Sequence, residues 1–450
     1  MDPNTLKILQ GAAGAAGSDP IGVEDVFKTY VYTGNSTAGH TITNGIDLSG
    51  DGGGMVWIKG RESAYSHEIV DTVRGAGYLL QSNSSGAQGG STSSELDQFN
   101  SNGFRLAIRT GDGNTNNQDY VSWTFKKQKK FFTICTWTGT GSTLQTISHD
   151  LASVPGCILI KSTSSSQSWG VYHRGANGGT NPEQYLGHLD TNAAFAQNVC
   201  FNFVAPTSTQ FQIKNDEINK QDETYVAYLF AHEEAEFGPN SDQKIISCGS
   251  YTGNGTTNDG PTVTCGFEPG FLIIKNTTGS GNWWVGDNMR GMNSNHNGYD
   301  DKRMNLDTND AESADLFAEF TPTGFKINQN DGNTNTSGSN YIYIAIAAET
   351  GKTMKAIETG SDVFAMDTGN SSSTIPTFDS GFPVDFAFQR EPASSQGWYT
   401  SARLIATKYL RTDTNDSEGN ESTDTFDSNA GWNKAGYNSS AQSWMWKRHA

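Results

Sequence analysis

The chain has 450 residues, a formal net charge of −18, 17% charged residues and 34% hydrophobic residues. This length predicts three or four domains of ordinary size. The acidic balance disfavours nucleic acid and anionic lipid as partners, because binding to either depends on neutralising phosphate groups. No apolar stretch approaches the roughly 20 residues of a membrane span, and no basic-then-apolar leader is present, so neither membrane insertion nor secretion is expected.

The first segment, residues 1–23, carries none of the landmarks that recur later in the chain. Pro3 and the apolar residues that follow it suggest one short helical turn before a run rich in Gly and Ala. Two interpretations stay open for this segment: an anchor that docks on a partner, or a frayed terminus.

Four copies of one sequence pattern follow. Each has a short apolar strand, then an Arg, then a polar turn that is Asp-Thr-Asn in three copies, and a final apolar strand. The ends of the apolar strands align at Lys59, Lys161, Lys275 and Gln389, with spacings of 102, 114 and 114 residues. Solenoid repeats are only about 20–50 residues long, so this period indicates duplicated whole domains. The predicted domains are 24–127, 130–232, 244–348 and a divergent copy at 361–450.

The local pattern within each copy predicts strands. Stretches such as 55–59 and 271–275 are short, apolar and bounded by turn residues, as in strands buried on both faces. Turn residues recur roughly every 8–12 positions, and long helical periodicity is absent. The predicted fold class is therefore all-β, with tandem jelly-roll-like antiparallel β-sandwich domains.

Tryptophan and arginine side chains are the candidate glycan-binding residues. Exposed aromatic side chains can stack on sugars, and a neighbouring guanidinium can bind sugar hydroxyls or carboxylates. The alternatives are a core position for each Trp, and for each recurring Arg an ion pair or carbonyl contact that fixes a strand end. The candidates are Trp169, Trp283, Trp284, Trp398 and Arg403.

Two Asp-Gly-Asn-Thr-Asn loops resemble part of a calcium loop, because oxygen-bearing side chains alternate around a Gly. No glutamate follows at the EF-hand spacing, and the same residues also favour a tight Asx turn. The weak metal candidates are Asp112, Asn114, Asn116, Asp331, Asn333 and Asn335.

Catalytic and cofactor-binding motifs are not found: the sequence lacks G-x-S-x-G, H-E-x-x-H, a Walker loop and a dinucleotide fingerprint. We expect a protein that is not an enzyme and needs no cofactor. Five widely spaced cysteines predict buried thiols made in a reducing cytosol. Ligand chemistry is expected where the copies differ, in residues 277–282 or around His296 and Tyr299.

The repeat pattern resembles a repeat found in virion proteins of marine bacteriophages of the cyanophage type, described as tail-fibre or structural proteins. The resemblance is carried by 32–35 (Tyr-Thr-Gly-Asn), 56–59 (Val-Trp-Ile-Lys) and 71–75 (Asp-Thr-Val-Arg-Gly), and by their counterparts up to residue 348. It implies a place on the phage particle rather than a chemistry, and it transfers no active-site residues.

This resemblance implies a virion structural protein, associated with the tail, assembled in the host cytoplasm and involved in host attachment. Its expected partners are other virion proteins and further copies of the chain. One alternative is a lectin-like protein that binds host surface glycans. A polysaccharide depolymerase and a capsid decoration protein are further alternatives.

Overall fold

A computed structural model of the protein describes residues 21–50, 52–108, 112–238, 240–292, 301–349, 360–370, 376–405, 407–421, 424–434, 437 and 439–447. Most of the predicted N-terminal anchor, residues 1–20, lies outside the described residues. So do His296 and Tyr299.

Strands are the main regular secondary structure of each unit. The first unit contains β1 (Phe27–Thr33), β2 (His40–Thr43), β3 (Gly54–Gly60), β4 (Glu68–Asp71), β5 (Leu96–Asn100), β6 (Gly103–Leu106) and β7 (Asp119–Lys126). The second contains β8 (Phe132–Thr138), β9 (Gln145–Ser148), β10 (Cys157–Ser162), β11 (Gly170–His173), β12 (Tyr185–His188), β13 (Ala196–Gln197), β14 (Gln210–Ile213) and β15 (Thr224–Phe230).

The third unit contains β16 (Ile246–Thr252), β17 (Thr262–Thr264), β18 (Pro269–Asn276), β19 (Trp284–Asp287), β20 (Asp301–Asn305), β21 (Ser313–Asp315), β22 (Ala318–Thr321), β23 (Gly324–Ile327) and β24 (Asn340–Ala347). The fourth contains β25 (Phe364–Thr368), β26 (Phe378–Asp379), β27 (Phe386–Arg390), β28 (Tyr399–Ala402), β29 (Lys408–Arg411), β30 (Gly419–Asn420), β31 (Asp424–Thr425), β32 (Gly431–Lys434) and β33 (Gln442–Trp446).

Helical structure in the described residues is short. One α-helical turn, α1 (Asp216–Asn219), lies in the second unit, and single 3-10 turns occur at Val23–Asp25, Ala176–Gly179, Pro182–Gln184, Asn288–Arg290, Gly360–Asp362 and Arg403–Ile405. None of these helices has the length and apolarity needed to cross a bilayer.

Each unit has two antiparallel sheets, and the strands of the larger sheet pair in the same order in all four units. In the larger sheet the first strand pairs with the last, the last with the central strand, and the central strand with the one after it: β1-β7-β3-β4, β8-β15-β10-β11-β12-β13, β16-β24-β18-β19-β20-β21 and β25-β33-β27-β28-β29-β30. The smaller sheets are β2-β6-β5, β14-β9, β17-β23-β22 and β26-β32-β31. The prediction of an all-β fold built of antiparallel sheets is confirmed.

The core of a unit lies between its two sheets. In the first unit, Val56 and Ile58 of β3 pack with Phe104 and Leu106 of β6. The fourth unit has a separate core, in which Met445 of β33 joins Phe378 and Trp432 of the smaller sheet. Side chains alternate between the faces of a strand, so each larger sheet also presents a second, outer face.

In the first three units this outer face is buried as well. Every residue of the central strands β3, β10 and β18 is buried, and their outer-face side chains join one apolar cluster that extends across the three units. Strand β27 differs, because buried residues alternate along it with half-buried ones. The outer face of the fourth unit is therefore only partly covered.

Candidate functional site

Three of the four candidate tryptophans do not offer a surface for stacking. Trp169 is 0% exposed, and Trp283 and Trp284 are each 2% exposed. A sugar can stack only on an aromatic face that solvent reaches, so these three side chains do not meet the requirement of the glycan-binding hypothesis.

The indole N–H groups of two of these tryptophans cross from one unit to the next. The Nε1 of Trp169 donates to the carbonyl of Gln81 in the first unit at 2.9 Å, and that of Trp283 to the carbonyl of His188 in the second unit at 2.9 Å. His67 occupies the same position in the first unit, and its Nε2 lies 2.9 Å from the carbonyl of Asn305 in the third. All three side chains belong to contacts between units.

The recurring lysines make parallel contacts eight residues earlier in each unit. Lys59, Lys161 and Lys275 are each 0% exposed. Their ammonium groups donate to backbone carbonyls of another unit: Lys59 to Asn309 at 3.3 Å, Lys161 to Ser85 at 3.0 Å, and Lys275 to Asn192 at 3.1 Å. Each of these acceptors lies four residues after the carbonyl that His67, Trp169 or Trp283 contacts.

A backbone hydrogen bond completes each contact. The backbone carbonyl of the residue two positions after each lysine accepts from a backbone N–H of the neighbouring unit. The donor lies three positions after the residue whose carbonyl binds the lysine. The bonds run from Glu312 to Arg61 at 2.7 Å, from Gln88 to Thr163 at 3.1 Å and from Phe195 to Thr277 at 3.0 Å.

These contacts define a closed ring of three units. We call 59–67, 161–169 and 275–283 the docking edges, and 81–85, 188–192 and 305–309 the receiving loops. The first unit's edge docks on the third unit's loop, the second's on the first and the third's on the second. Each unit thus uses one edge and one loop, and the order returns to its start after three steps, as in a threefold ring.

Burial lowers the pKa of Lys59, Lys161 and Lys275 to about 8 in each case. Desolvation penalises the ammonium form, while the carbonyl acceptors and nearby carboxylates favour it. At neutral pH the ammonium groups stay charged and act as donors that join neighbouring units.

The Asp-x-x-Arg pairs serve the same interfaces. The Asp71 carboxylate accepts from the backbone N–H and Nε of Arg74 and from the hydroxyl of Tyr228 in the second unit, at 2.8 Å for the hydroxyl. The Asp287 carboxylate likewise binds Arg290, and it accepts from the indole N–H of Trp123 in the first unit at 3.0 Å.

The third interface, between the second and third units, has different residues at both of these positions. Strand pairing places His173 where the sister copies have Asp71 and Asp287, and Ile344 where they have Trp123 and Tyr228. His173 is 0% exposed, and its Nε2 lies 3.0 Å from the backbone carbonyl of Tyr343 in the third unit. The aspartate and its side-chain partner are thus replaced together, and the buried histidine is paired with a backbone carbonyl instead.

Glu312 adds an ion-pair network between the first and third units. Its two carboxylate oxygens accept from Nε and Nη2 of Arg61, each at 3.0 Å, and one of them also accepts from Nη1 of Arg290 at 3.1 Å. Arg61 also lies 3.4 Å from Asp427 of the fourth unit. Although burial opposes it, the two guanidinium groups hold the pKa of Glu312 below its ordinary range.

The weak calcium candidates are largely engaged in turns. The Asn114 side chain accepts from the N–H of Asn35 and donates to the carbonyls of Thr37 and Ala107. Asn335 does the equivalent in the third unit, binding the N–H of Asn254 and the carbonyl of Thr256. Asn219, which lies in none of the sequence motifs, secures the matching loop of the second unit by accepting from the N–H of Thr140.

The other members of these loops are placed as follows. Asn333 accepts from the N–H of Asn282 and donates to Asp331, while Asn116 is exposed and Asp112 is half-buried. Within the described part of the chain, no three His, Cys, Asp or Glu side chains are grouped so that they could hold a metal ion.

In the fourth unit, the position equivalent to the lysines lies one residue later than the sequence alignment predicts. Phe388 of β27 pairs with Trp444 of β33, as Trp57 pairs with Trp123 in the first unit. Arg390, two residues after Phe388, therefore occupies the place of Lys59. Gln389 lies on the inner face and is 1% exposed.

Trp398 lies eight residues after Arg390, the spacing of each docking edge in the ring. It is half-buried, and its indole contacts Trp444 at 5.2 Å between centroids, with the Arg390 guanidinium 5.2 Å from its centroid. It is the one candidate tryptophan that keeps partial exposure.

Arg403 is not a neighbour of Trp398, although both are half-buried. The two residues flank opposite ends of β28, about 16 Å apart at the usual rise per strand residue. Arg403 lies 3.2 Å from the Asp385 carboxylate and donates to the carbonyl of Asn288 in the third unit at 2.8 Å. It joins the fourth unit to the ring.

Arg403 also lines a cleft of about 500 Å³ between the third and fourth units. The lining is largely apolar, and includes Met292 and Phe320 on one side and Phe386 and Trp446 on the other. The cleft continues along the outer face of the fourth unit.

The fold and interfaces define a class of protein: a single-chain ring of three β-sandwich units that carries a fourth unit of the same topology. Residues 23–350, which span the ring and well over half of the chain, match the family described as a domain of unknown function (DUF7483). The chain belongs to this family. A search of curated proteins gives no match.

Proposed function

We propose that the protein is a non-enzymatic structural component of a phage virion, associated with the tail, and that it serves assembly and host attachment. The observation that carries the proposal is the use made of the recurring residues. The buried lysines, the residues eight positions later and the Asp-x-x-Arg pairs join the units to one another. Residues that recur for this purpose support an architectural role.

The ring itself suits that role. A buried ammonium or guanidinium group that donates to fixed acceptors tolerates little displacement, since breaking such a contact leaves a charge unpaired. The three units should therefore behave as one rigid body. The resemblance of the repeat to those of marine phage virion proteins supports a place on the particle, with synthesis in the host cytoplasm.

The proposal is tested on the phage that encodes the chain. Quantitative mass spectrometry of gradient-purified, salt-washed particles should find the protein at a fixed copy number, and antibody labelling should place it on the tail. Purified protein added to particles that lack it controls for adsorption. Recovery only in the unbound fraction would contradict the proposal, and turnover of host polysaccharide by the purified protein would contradict its non-enzymatic part.

A lectin-like function is the second candidate, and the exposed part of the fourth unit favours it. Trp398, Arg390 and Trp444 place aromatic and cationic groups together on a half-exposed face. Trp398→Ala should abolish binding on a glycan array, while Leu404→Ala, at a 54% exposed residue beyond the other end of β28, should leave it unchanged. Equal binding by both variants would refute this function.

A further inference from the structure

The outer face of the fourth unit is apolar and only partly covered. We define it by Met366, Phe386, Phe388, Leu410, Trp444 and Trp446. Met366 is 57% exposed and Leu410 is 45% exposed, and the four aromatic side chains are half-buried. An exposed apolar surface of this kind on a sheet is typical of an interaction site.

The corresponding positions in the ring are covered by neighbouring units. Strand pairing places Met366 where the third unit has Cys248, and Trp444 where the first unit has Trp123. Cys248 and Trp123 are each 0% exposed. Leu410 pairs with β28 as Met304 pairs with β19, and Met304 is also 0% exposed. The fourth unit thus presents the face by which its sister units associate.

Its docking edge lacks an acceptor. In the ring, each lysine donates to a loop carbonyl of the next unit. Arg390 holds that position in the fourth unit, and its Nε is buried without a hydrogen-bond partner in the described chain. A buried donor without an acceptor is unfavourable, so a partner whose binding lets the Arg390 side chain reach a carbonyl would be favoured.

The receiving loop of the fourth unit, residues 411–415, is formed but unoccupied within the described chain. Thr414 donates to Asp416 at 2.9 Å and accepts from its N–H, as Thr308 does with Asp310 in the third unit. Residues 412–418 are exposed. The loop already has the conformation that docks on a neighbouring edge in the ring.

Charge also favours a partner that carries an equivalent edge and loop. Burial lowers the pKa of Lys59 to about 8, and the carboxylate of Asp310, the residue directly after the receiving loop, opposes that shift, so the two groups attract each other across the interface. Asp416 holds the place of Asp310 in the fourth unit, and Arg390 holds that of Lys59. An edge and a loop with these charges are complementary when they come from different copies.

We infer that three copies of the chain associate through their fourth units in a second ring, in which each Arg390 edge docks on the 411–415 loop of the next copy. An edge-to-loop contact is heterologous, and the rotation that relates the units within the chain closes after three steps. The arrangement does not depend on the proposed place on a virion, because it uses only surfaces of the purified chain.

The oligomeric state of the full chain tests this directly. Native mass spectrometry and light scattering at micromolar concentrations should give three times the 48.5 kDa chain mass. A monomer or a dimer would overturn the inference. Glycan binding by a monomer that Trp398→Ala abolishes would do the same, since the face would then serve a ligand.

Charge-reversal variants locate the interface. Asp416 is exposed, so Asp416→Arg should leave the far-UV circular dichroism unchanged. Because it places a positive charge opposite Arg390 of the next copy, it should weaken trimer formation at least tenfold. Adding Arg390→Glu restores opposite charges and should recover most of the affinity. Asp259→Arg, at a carboxylate that is 89% exposed on the third unit, is the matched control and should form trimers normally. A trimer that Asp416→Arg does not weaken would overturn the inference.

Discussion

Replacing Glu312 with glutamine removes the charge of a carboxylate that joins two units of the ring. The carboxylate is 8% exposed and binds Arg61 in the first unit and Arg290 in the third. Removing one member of a buried ion pair costs about 3–5 kcal/mol when the remaining charge is left unpaired, and here the cost is reduced because Asp427 and Asp287 still pair with the two guanidinium groups. Glutamine keeps the shape and one acceptor, so we expect Glu312→Gln to lower the free energy of unfolding by about 2–4 kcal/mol.

Urea denaturation at pH 7, followed by circular dichroism and tryptophan fluorescence, measures this loss by linear extrapolation, because urea is uncharged and does not screen the ion pairs. Asp97→Asn is the matched control, since Asp97 pairs with Arg105, whose side chain is 40% exposed. An exposed pair of this kind contributes about 0–1 kcal/mol. A loss for Glu312→Gln no larger than that for Asp97→Asn would refute the importance assigned to the buried network.

The pH dependence gives a second readout of the same variant. The pKa of Glu312 is lowered in the folded protein from its ordinary value of 4.5, because Arg61 and Arg290 overcome the opposing effect of burial. Its contribution to stability is therefore present above about pH 4.5 and is lost as the pH falls through the folded value. The difference between wild type and Glu312→Gln should shrink over that acidic range.

Two further predictions use pH. Burial lowers the pKa of Lys275 from 10.5 to about 8, so the unfolded chain binds more protons between these values. Stability should rise with pH above about 8, by up to about 1 kcal/mol per pH unit for each such lysine, and Lys275→Met should reduce this slope in unfolding curves from pH 7.5 to 9.5. An unchanged slope would contradict the assignment. Burial also lowers the pKa of His67 from 6.5 to about 3, so the stability from its neutral form is lost as pH falls from 6.5 toward 3. His67→Gln should flatten that loss in acid unfolding, and an acid limb as steep as that of wild type would count against the buried neutral histidine.

The all-β class could be predicted because it rests on local signals. Short apolar runs such as those ending at Lys59 and Lys275, separated by turn residues, determine strands whatever their later partners are. The contacts between units could not be predicted in the same way. Lys59 binds the backbone carbonyl of Asn309, 250 residues away. Every residue has a backbone carbonyl, so the sequence does not show which one is the acceptor.

The sequence of the fourth unit carries a signal that local similarity does not use. Local similarity aligns Gln389 with the lysines, whereas the alternation of Phe386, Phe388 and Arg390 places the arginine on the outer face. The burial of Trp169 and Trp283 had no such signal. Aromatic residues occur both in cores and at binding surfaces, and only the arrangement of the three units decides between those places.

The central claim is that three units form one closed ring, so weakening one interface should loosen the unit that does not touch it. Trp169→Leu removes an indole from the contact between the first and second units and should cost about 2–4 kcal/mol. Hydrogen exchange followed by mass spectrometry reports the free energy of opening for each strand. The ring account predicts that amides of β24 in the third unit exchange about 30- to 1,000-fold faster, as do those of β3 and β10, while β33 in the fourth unit is unchanged. Wild-type exchange in β24, with acceleration confined to the first two units, would contradict it.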